Sequence, residues 1–172
     1  MNTSSFFVVL LLVAAAWGEV VQFESCPPDS EDEPAPAPNC TVHEVRISPC
    51  AEASENKPCK IKRGRSASIQ FDFTALIVQY TCFTVPAAAT ETLTGRAFWT
   101  NTAGDLPFVG MNTDACSYTT CPVQANQRQT YDYQLSISRK FPVRAYDVKW
   151  KLWNEELSVF QCCFIAKIKL VK

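Results

Sequence analysis

The sequence predicts an all-β protein, an antiparallel sandwich of two sheets stapled by disulfides. Three observations carry this. Five segments alternate apolar and polar residues with a period of two, each with one dry and one wet face. Clusters of Pro, Asn and Gly separate the segments, and no amphipathic helix of similar quality occurs. Nine cysteines fall in a chain of 172 residues, which in an oxidising compartment is a disulfide framework.

The chain opens on one apolar run, Phe6 to Gly18, ending in Ala16-Trp17-Gly18. The run is too short to span a bilayer comfortably, which takes about 20 apolar residues. It reads as a secretory leader over 1–18 with cleavage before Glu19, although no Lys or Arg precedes it. The expected product is one domain, 19–172, secreted or held in the endosomal or lysosomal lumen. Pro27 to Asn39 is acidic and proline-rich and reads as an exposed connector. Asn39-Cys40-Thr41 is a glycosylation sequon.

The strands follow. "TVHEVRI" places His43, Val45 and Ile47 on one face, and "SIQFDFT" does the same for Ile69, Phe71 and Phe73. "YDYQLSI" groups Tyr131, Tyr133, Leu135 and Ile137. "AYDVKWKL" sets Tyr146, Val148, Trp150 and Leu152 opposite Asp147, Lys149 and Lys151. "CFIAKIKLVK" sets Phe164, Ala166, Ile168 and Leu170 opposite Lys167, Lys169 and Val171. Helix-like composition at Pro86 to Leu93 is too short and too rich in threonine to count. The inward faces are heavy with rings: Phe71, Phe73, Phe98, Phe108, Tyr131, Tyr133, Phe141, Trp150 and Phe164 are all candidates. On pattern alone they fill a core; the alternative is a ring-lined cavity between sheets that do not fully close.

Charge and motifs exclude several functions. Sixteen Lys and Arg balance 17 Asp and Glu, which argues against nucleic acid as a partner. The basic run Lys60, Lys62, Arg63 and Arg65 is therefore read locally, either as ordinary solubility or as a contact for anionic lipid head groups. A zinc site needs tight C-x-x-C pairs or several histidines, and the chain has one histidine, His43. The close pairs are Cys50/Cys59 and Cys116/Cys121, at spacings that suit short bridged loops. No metal, no cofactor and no catalytic residue is expected. The lone histidine on a strand offers no Cys/His dyad, and no G-x-S-x-G, H-E-x-x-H or phosphate-cradling glycine loop is present. The odd cysteine count leaves at least one thiol free or paired with another chain.

The order "VVQFESC", "HEVRISPC", "PCKIKRGRSASIQFDFT", "LPFVGMNTDACSYTTCPV", "TYDYQLSI", "FPVRAYDVKWKLWNEE", "FQCCFIAKIKLV" resembles the ML domain family of secreted lipid-recognition proteins. The resemblance runs from about Val20 to Val171. It implies an immunoglobulin-like sandwich with a hydrophobic lipid pocket between the sheets, and so favours the cavity over the filled core. It implies the bridges Cys50–Cys59, Cys116–Cys121 and Cys26–Cys163, the last preferred to Cys162 because "CFIAKIKLV" aligns without a gap. Cys40, Cys82 and Cys162 depart from the pattern, and Cys40–Cys82 is a candidate extra bridge. "ALIVQYTCFTVPAAAT" is longer than the family norm. The pocket positions implied are Phe108, Ile137 and Phe141, with Leu106, Val109 and Met111 at the mouth. Phe73, Val148 and Trp150 are added from alternation. Val109 stands where the family has a second proline. The implied function is a monomeric, non-enzymatic carrier of a sterol, fatty acid or other lipid. It would meet a membrane surface or a lipid-accepting membrane protein transiently. The alternatives are innate-immune recognition of microbial lipids, and a secreted interaction or inhibitor protein with a filled core.

Overall fold

Among the described residues ten strands follow in chain order: β1 (Glu19–Val21), β2 (Phe23–Ser25), β3 (Cys40–Ser48), β4 (Cys59–Lys62), β5 (Ser66–Ala75), β6 (Thr94–Asn101), β7 (Gly104–Pro107), β8 (Arg128–Ser136), β9 (Ala145–Trp153) and β10 (Gln161–Val171). The structure is a computed structural model, and it describes residues 18–27, 39–76, 91–101, 104–155 and 161–172. Two sheets pack face to face. One has the order β1-β3-β5-β8, all antiparallel. The other has the order β2-β10-β9-β6-β7, with β4 added parallel to β10. Apart from two 3₁₀ turns, the described residues contain no helix, and none is long and apolar enough to cross a membrane.

The alternation places the core. Val45, Ile47, Ile69, Phe71, Phe73, Tyr131, Tyr133, Trp150, Leu152, Phe164 and Leu170 are all buried between the sheets. Strand and sheet suit these residues, because β-branched and aromatic side chains pack well on a pleated face. Gly95 lets β6 approach this core closely: a Cβ there would meet Leu152 Cδ2 at 3.0 Å and Tyr131 Oη at 3.1 Å.

The structure departs from the expected pattern at three places, in side-chain direction at the first two and in burial at the third. His43 does not share the face of Val45. The pairing runs from Val42↔Phe73 directly to Glu44↔Asp72, so His43 is the extra residue of a bulge and turns outward. There it shares a 2.8 Å hydrogen bond with Thr74 Oγ1. Phe98 is not a core ring: Gly95, Ala97 and Trp99 point inward along β6, and Phe98 lies half-buried on the other face. Lys149 points away from the core yet is buried, because its Nζ reaches Asp105 Oδ2 at 2.6 Å and ties β9 to the β7 edge.

Four disulfides join cysteines among the described residues. Cys26–Cys163, Cys50–Cys59 and Cys116–Cys121 are the pairings implied by the resemblance. The proposed Cys40–Cys82 bridge is corrected: Cys40 is bonded to Cys162, and Cys82 lies outside the described residues. Neighbouring residues on a strand face opposite ways. Cys162, buried, turns into the sandwich and reaches β3, while Cys163 turns outward to Cys26. Most of the leader, of the acidic connector and of the helix-like stretch also lies outside the described residues.

Candidate functional site

Side-chain size divides the interior of the sandwich into two halves. Along β5 the inward series runs Ala67, Ile69, Phe71, Phe73. Antiparallel β8 places Leu135 beside Ala67 and Tyr131 beside Phe71. The Phe71 half is filled by rings: Phe71 lies 5.0 Å from Tyr131, 4.9 Å from Phe164 and 6.1 Å from Phe73. The Ala67 half is built of small and aliphatic residues and does not close. It holds a cavity of about 30 Å³. One wall is Ile47, Ala67, Ile69, Leu135 and Ile137, and the other is Ile61, Val148, Ala166 and Ile168; Trp150 and Phe108 complete the lining, in which Ser68 is the one polar residue.

Four rings stand together beside this half. Trp99 lies 4.4 Å from Phe108, 5.3 Å from Phe141 and 4.5 Å from Tyr146, and Phe108 lies 5.7 Å from Phe141. They are held by their loops. The Phe108 N–H donates to the Ala97 carbonyl at 2.9 Å. Tyr146 Oη donates to the Pro142 carbonyl at 2.9 Å. Arg63 Nη1 donates to the carbonyls of Arg139 at 3.0 Å and Phe141 at 2.8 Å. Arg63 comes from the β4–β5 turn, where Gly64 takes φ +75 and leaves room for the Arg139 side chain; a Cβ there would meet Arg139 Nε at 2.5 Å.

Phe108, Ile137, Val148 and Trp150 therefore line the cavity, and Phe141 closes the ring cluster over Phe108. Phe73 is fully buried in the ring-filled half, away from the cavity wall. Met111 is half-buried, its Sδ accepting the Ala97 N–H at 3.3 Å. Leu106 and Val109 are 59% and 94% exposed and flank Phe108. Ala67, Ile61 and Trp99 escape the sequence reading. Ala67 extends the alternation of Ile69 and Phe71 by one step and could have been found; Trp99 is hidden because its inward partners on β6 are Gly95 and Ala97.

On the outer face of the first sheet, Asp72 gathers Arg46 Nη2 at 2.8 Å, Arg128 Nη2 at 2.6 Å and Thr130 Oγ1 at 2.8 Å. Arg46 also pairs with Glu44. Burial opposes ionisation of Asp72, but the hydrogen bonds from Arg46, Arg128 and Thr130 outweigh it and hold the carboxyl well below the usual range.

Comparison with known proteins now assigns the fold. The ML domain model matches residues 20–170. The chain belongs to the ML domain family. This ML domain is 40% identical over 134 residues to an MD-2-related lipid-recognition protein of Manduca sexta, covering 77% of this chain and 78% of that one. It is 25% identical over 159 residues to NPC intracellular cholesterol transporter 2 of Bos taurus, covering 91% and 89%. A Niemann-Pick type C2 protein from Japanese carpenter ant superposes with a TM-score of 0.65, covering 87% of this chain and 99% of that one at 17% identity, and so shares the fold.

Proposed function

We propose that this ML domain is a non-enzymatic carrier that holds one sterol, fatty acid or similar lipid between its sheets. The observation that carries the proposal is the apolar cavity walled by both sheets, with Phe108 in its lining and the Trp99, Phe141 and Tyr146 rings clustered beside that ring. Apolar walls exclude water, and rings offer flat contact area at low entropic cost. A cavity of about 30 Å³ is far below the ~300–1,000 Å³ of ordinary ligand pockets. Loading therefore requires the ring cluster to move and the sheets to part.

The staples leave a side on which this can happen. Cys40–Cys162 joins β3 to β10, and Cys50–Cys59 joins the end of β3 to the start of β4, which pairs with β10. Both hold the sheets together on the β3/β10 side. On the β8 side, where the rings stand, no described disulfide joins the sheets; Cys116–Cys121 closes a loop within the β7–β8 connection. The sandwich opens like a book with its spine along β3 and β10. Four disulfides among the described residues support passage through the secretory pathway, for which the apolar run Phe6 to Gly18 is read as the leader.

The test is displacement of a fluorescent sterol and a fluorescent fatty acid, beside thermal melting, for wild type and Phe108→Ala. The variant should bind at least tenfold more weakly and lose less stability than a filled-half ring would, where truncation costs ~3–5 kcal/mol. If wild type binds neither probe, or Phe108→Ala melts like a core deletion with unchanged affinity, the carrier reading fails and the filled-core interaction protein replaces it.

A further inference from the structure

The ring-filled half and the aliphatic half of the interior meet at Trp150. Its indole lines the cavity together with Val148 and Phe108. Toward the filled half it packs 5.8 Å from Tyr131, 5.7 Å from Tyr133 and 6.3 Å from Phe71. The side chain is fully buried, and its Nε1 has no hydrogen-bond partner among the described residues. An indole N–H can only donate. Left unpaired away from water, it carries a desolvation cost that no contact offsets.

The surroundings show from which side a partner can come. The filled half brings two hydroxyls near the indole, and neither takes its proton. Tyr133 Oη accepts the Asn112 N–H at 3.0 Å. Tyr131 Oη has no partner either. It lies further from the cavity: a Cβ on Gly95 would meet it at 3.1 Å and Leu152, the next inward residue of β9 beyond Trp150, at 3.0 Å. On the cavity side the walls are apolar except for Ser68, which alternates with the inward Ala67 and Ile69 and so turns its side chain outward. Among the described residues, the cavity is the one space against Trp150 whose contents can change.

We infer that Trp150 is a specificity-determining residue, and that its indole N–H selects a lipid whose inner end carries an oxygen, a hydroxyl or carbonyl, over one that ends in a methyl group. The inference rests on the carrier reading and names the class of cargo. The apolar body of the lipid lies between the two walls, and the oxygen at its leading end accepts the indole N–H. A neutral oxygen fits and a carboxylate does not, because a single donor cannot satisfy a charge among aliphatic walls. A fatty acid therefore keeps its carboxylate outside the aliphatic half and presents its far end to Trp150. The match works in both directions. An oxygenated end without the indole is buried unpaired, and the indole facing a methyl group stays unpaired.

Paired competitors test it, by displacement of a fluorescent fatty acid and a fluorescent sterol. One pair is ω-hydroxypalmitic acid and heptadecanoic acid, chains of equal length that differ by a hydroxyl in place of the last methyl group. The other is a hydroxycholesterol with its added oxygen on the side chain, beside cholesterol. Whichever pair binds decides. Wild type should bind the oxygenated member about tenfold more tightly, the worth of roughly one net hydrogen bond, where a wholly apolar inner end would favour the methyl group. Trp150→Phe keeps a ring and removes the donor, so the preference should vanish or reverse. Tyr131→Phe is the control: its hydroxyl lies beyond Trp150, and the preference should stay near tenfold. Should Trp150→Phe fail to fold, the Trp150 indole N–H resonance of wild type decides; it should shift with the oxygenated member and not with its methyl-ended partner. Equal affinity within every pair that binds, an unchanged preference in folded Trp150→Phe, or an indole resonance that both members shift alike would overturn the inference and leave the carrier reading standing. If no member of either pair binds wild type, the carrier reading falls and the inference falls with it.

Discussion

Asp72 shows how single residues hold the sheet that forms one wall of the cavity. Its carboxylate ties β3 and β8 to β5 through Arg46, Arg128 and Thr130. Asp72→Asn should destabilise the protein by about 2–3 kcal/mol at neutral pH, since it removes charge-assisted hydrogen bonds and leaves Arg46 half-matched. The folded carboxyl sits below the unfolded value of 3.8. Its contribution is therefore complete above about pH 4 and shrinks as the pH falls further. Melting curves of both proteins should stay a constant distance apart from pH 5 to 7 and converge in stronger acid; a gap that widens in acid would contradict the assignment. Tyr131 is the opposite case. Its hydroxyl is buried among rings with no partner among the described residues, and burial pushes its ionisation far up. Tyr131→Phe should raise stability by about 1–2 kcal/mol, because it removes an unsatisfied polar group and keeps the ring. A loss of stability on denaturant unfolding would mean that the hydroxyl is bonded after all.

At the scale of elements, legibility follows side-chain size and strand length. The long strands β3, β5, β8, β9 and β10 run nine to eleven residues, and on the last four apolar residues stand at every second position at least three times in a row. Strand β6 is hidden: its inward face is Gly95, Ala97 and Trp99, and the outward Phe98 imitates an inward ring. Strands β1, β2, β4 and β7 are three or four residues long, too short for a period to show. The extra bridge is hidden for another reason. Pairing Cys40 with Cys162 requires knowing that β3 and β10 face each other across the sandwich, which no local pattern reports. With Cys26–Cys163 already closed, the second bridge closes only a ring of about fifteen residues, the stretch from Cys26 to Cys40 and the step from Cys162 to Cys163. Such a ring is worth ~3 kcal/mol. Replacing Cys40 and Cys162 together by Ala should cost that much or less in denaturant unfolding. Peptide mapping of the secreted protein should find Cys40 joined to Cys162; recovery of Cys40 joined to Cys82 would restore the pairing expected from the sequence.

For the whole molecule, one arrangement unites these details: a ring-packed half, an aliphatic half that holds a small cavity, staples along one side and a ring cluster on the other. Alternation alone favours a filled core, because it cannot tell a ring against another ring from a ring against a ligand. What separates the two is the step from Phe71 to Ala67 along β5 and from Tyr131 to Leu135 along β8, visible once the strands are in register. The central claim is that the aliphatic half carries a lipid, and native mass spectrometry of protein secreted from eukaryotic cells, followed by solvent extraction, tests it most directly. The account predicts a second population heavier by the mass of one lipid, abolished by extraction and restored by adding a sterol or fatty acid. A bare chain that gains no mass after incubation with either lipid would contradict it.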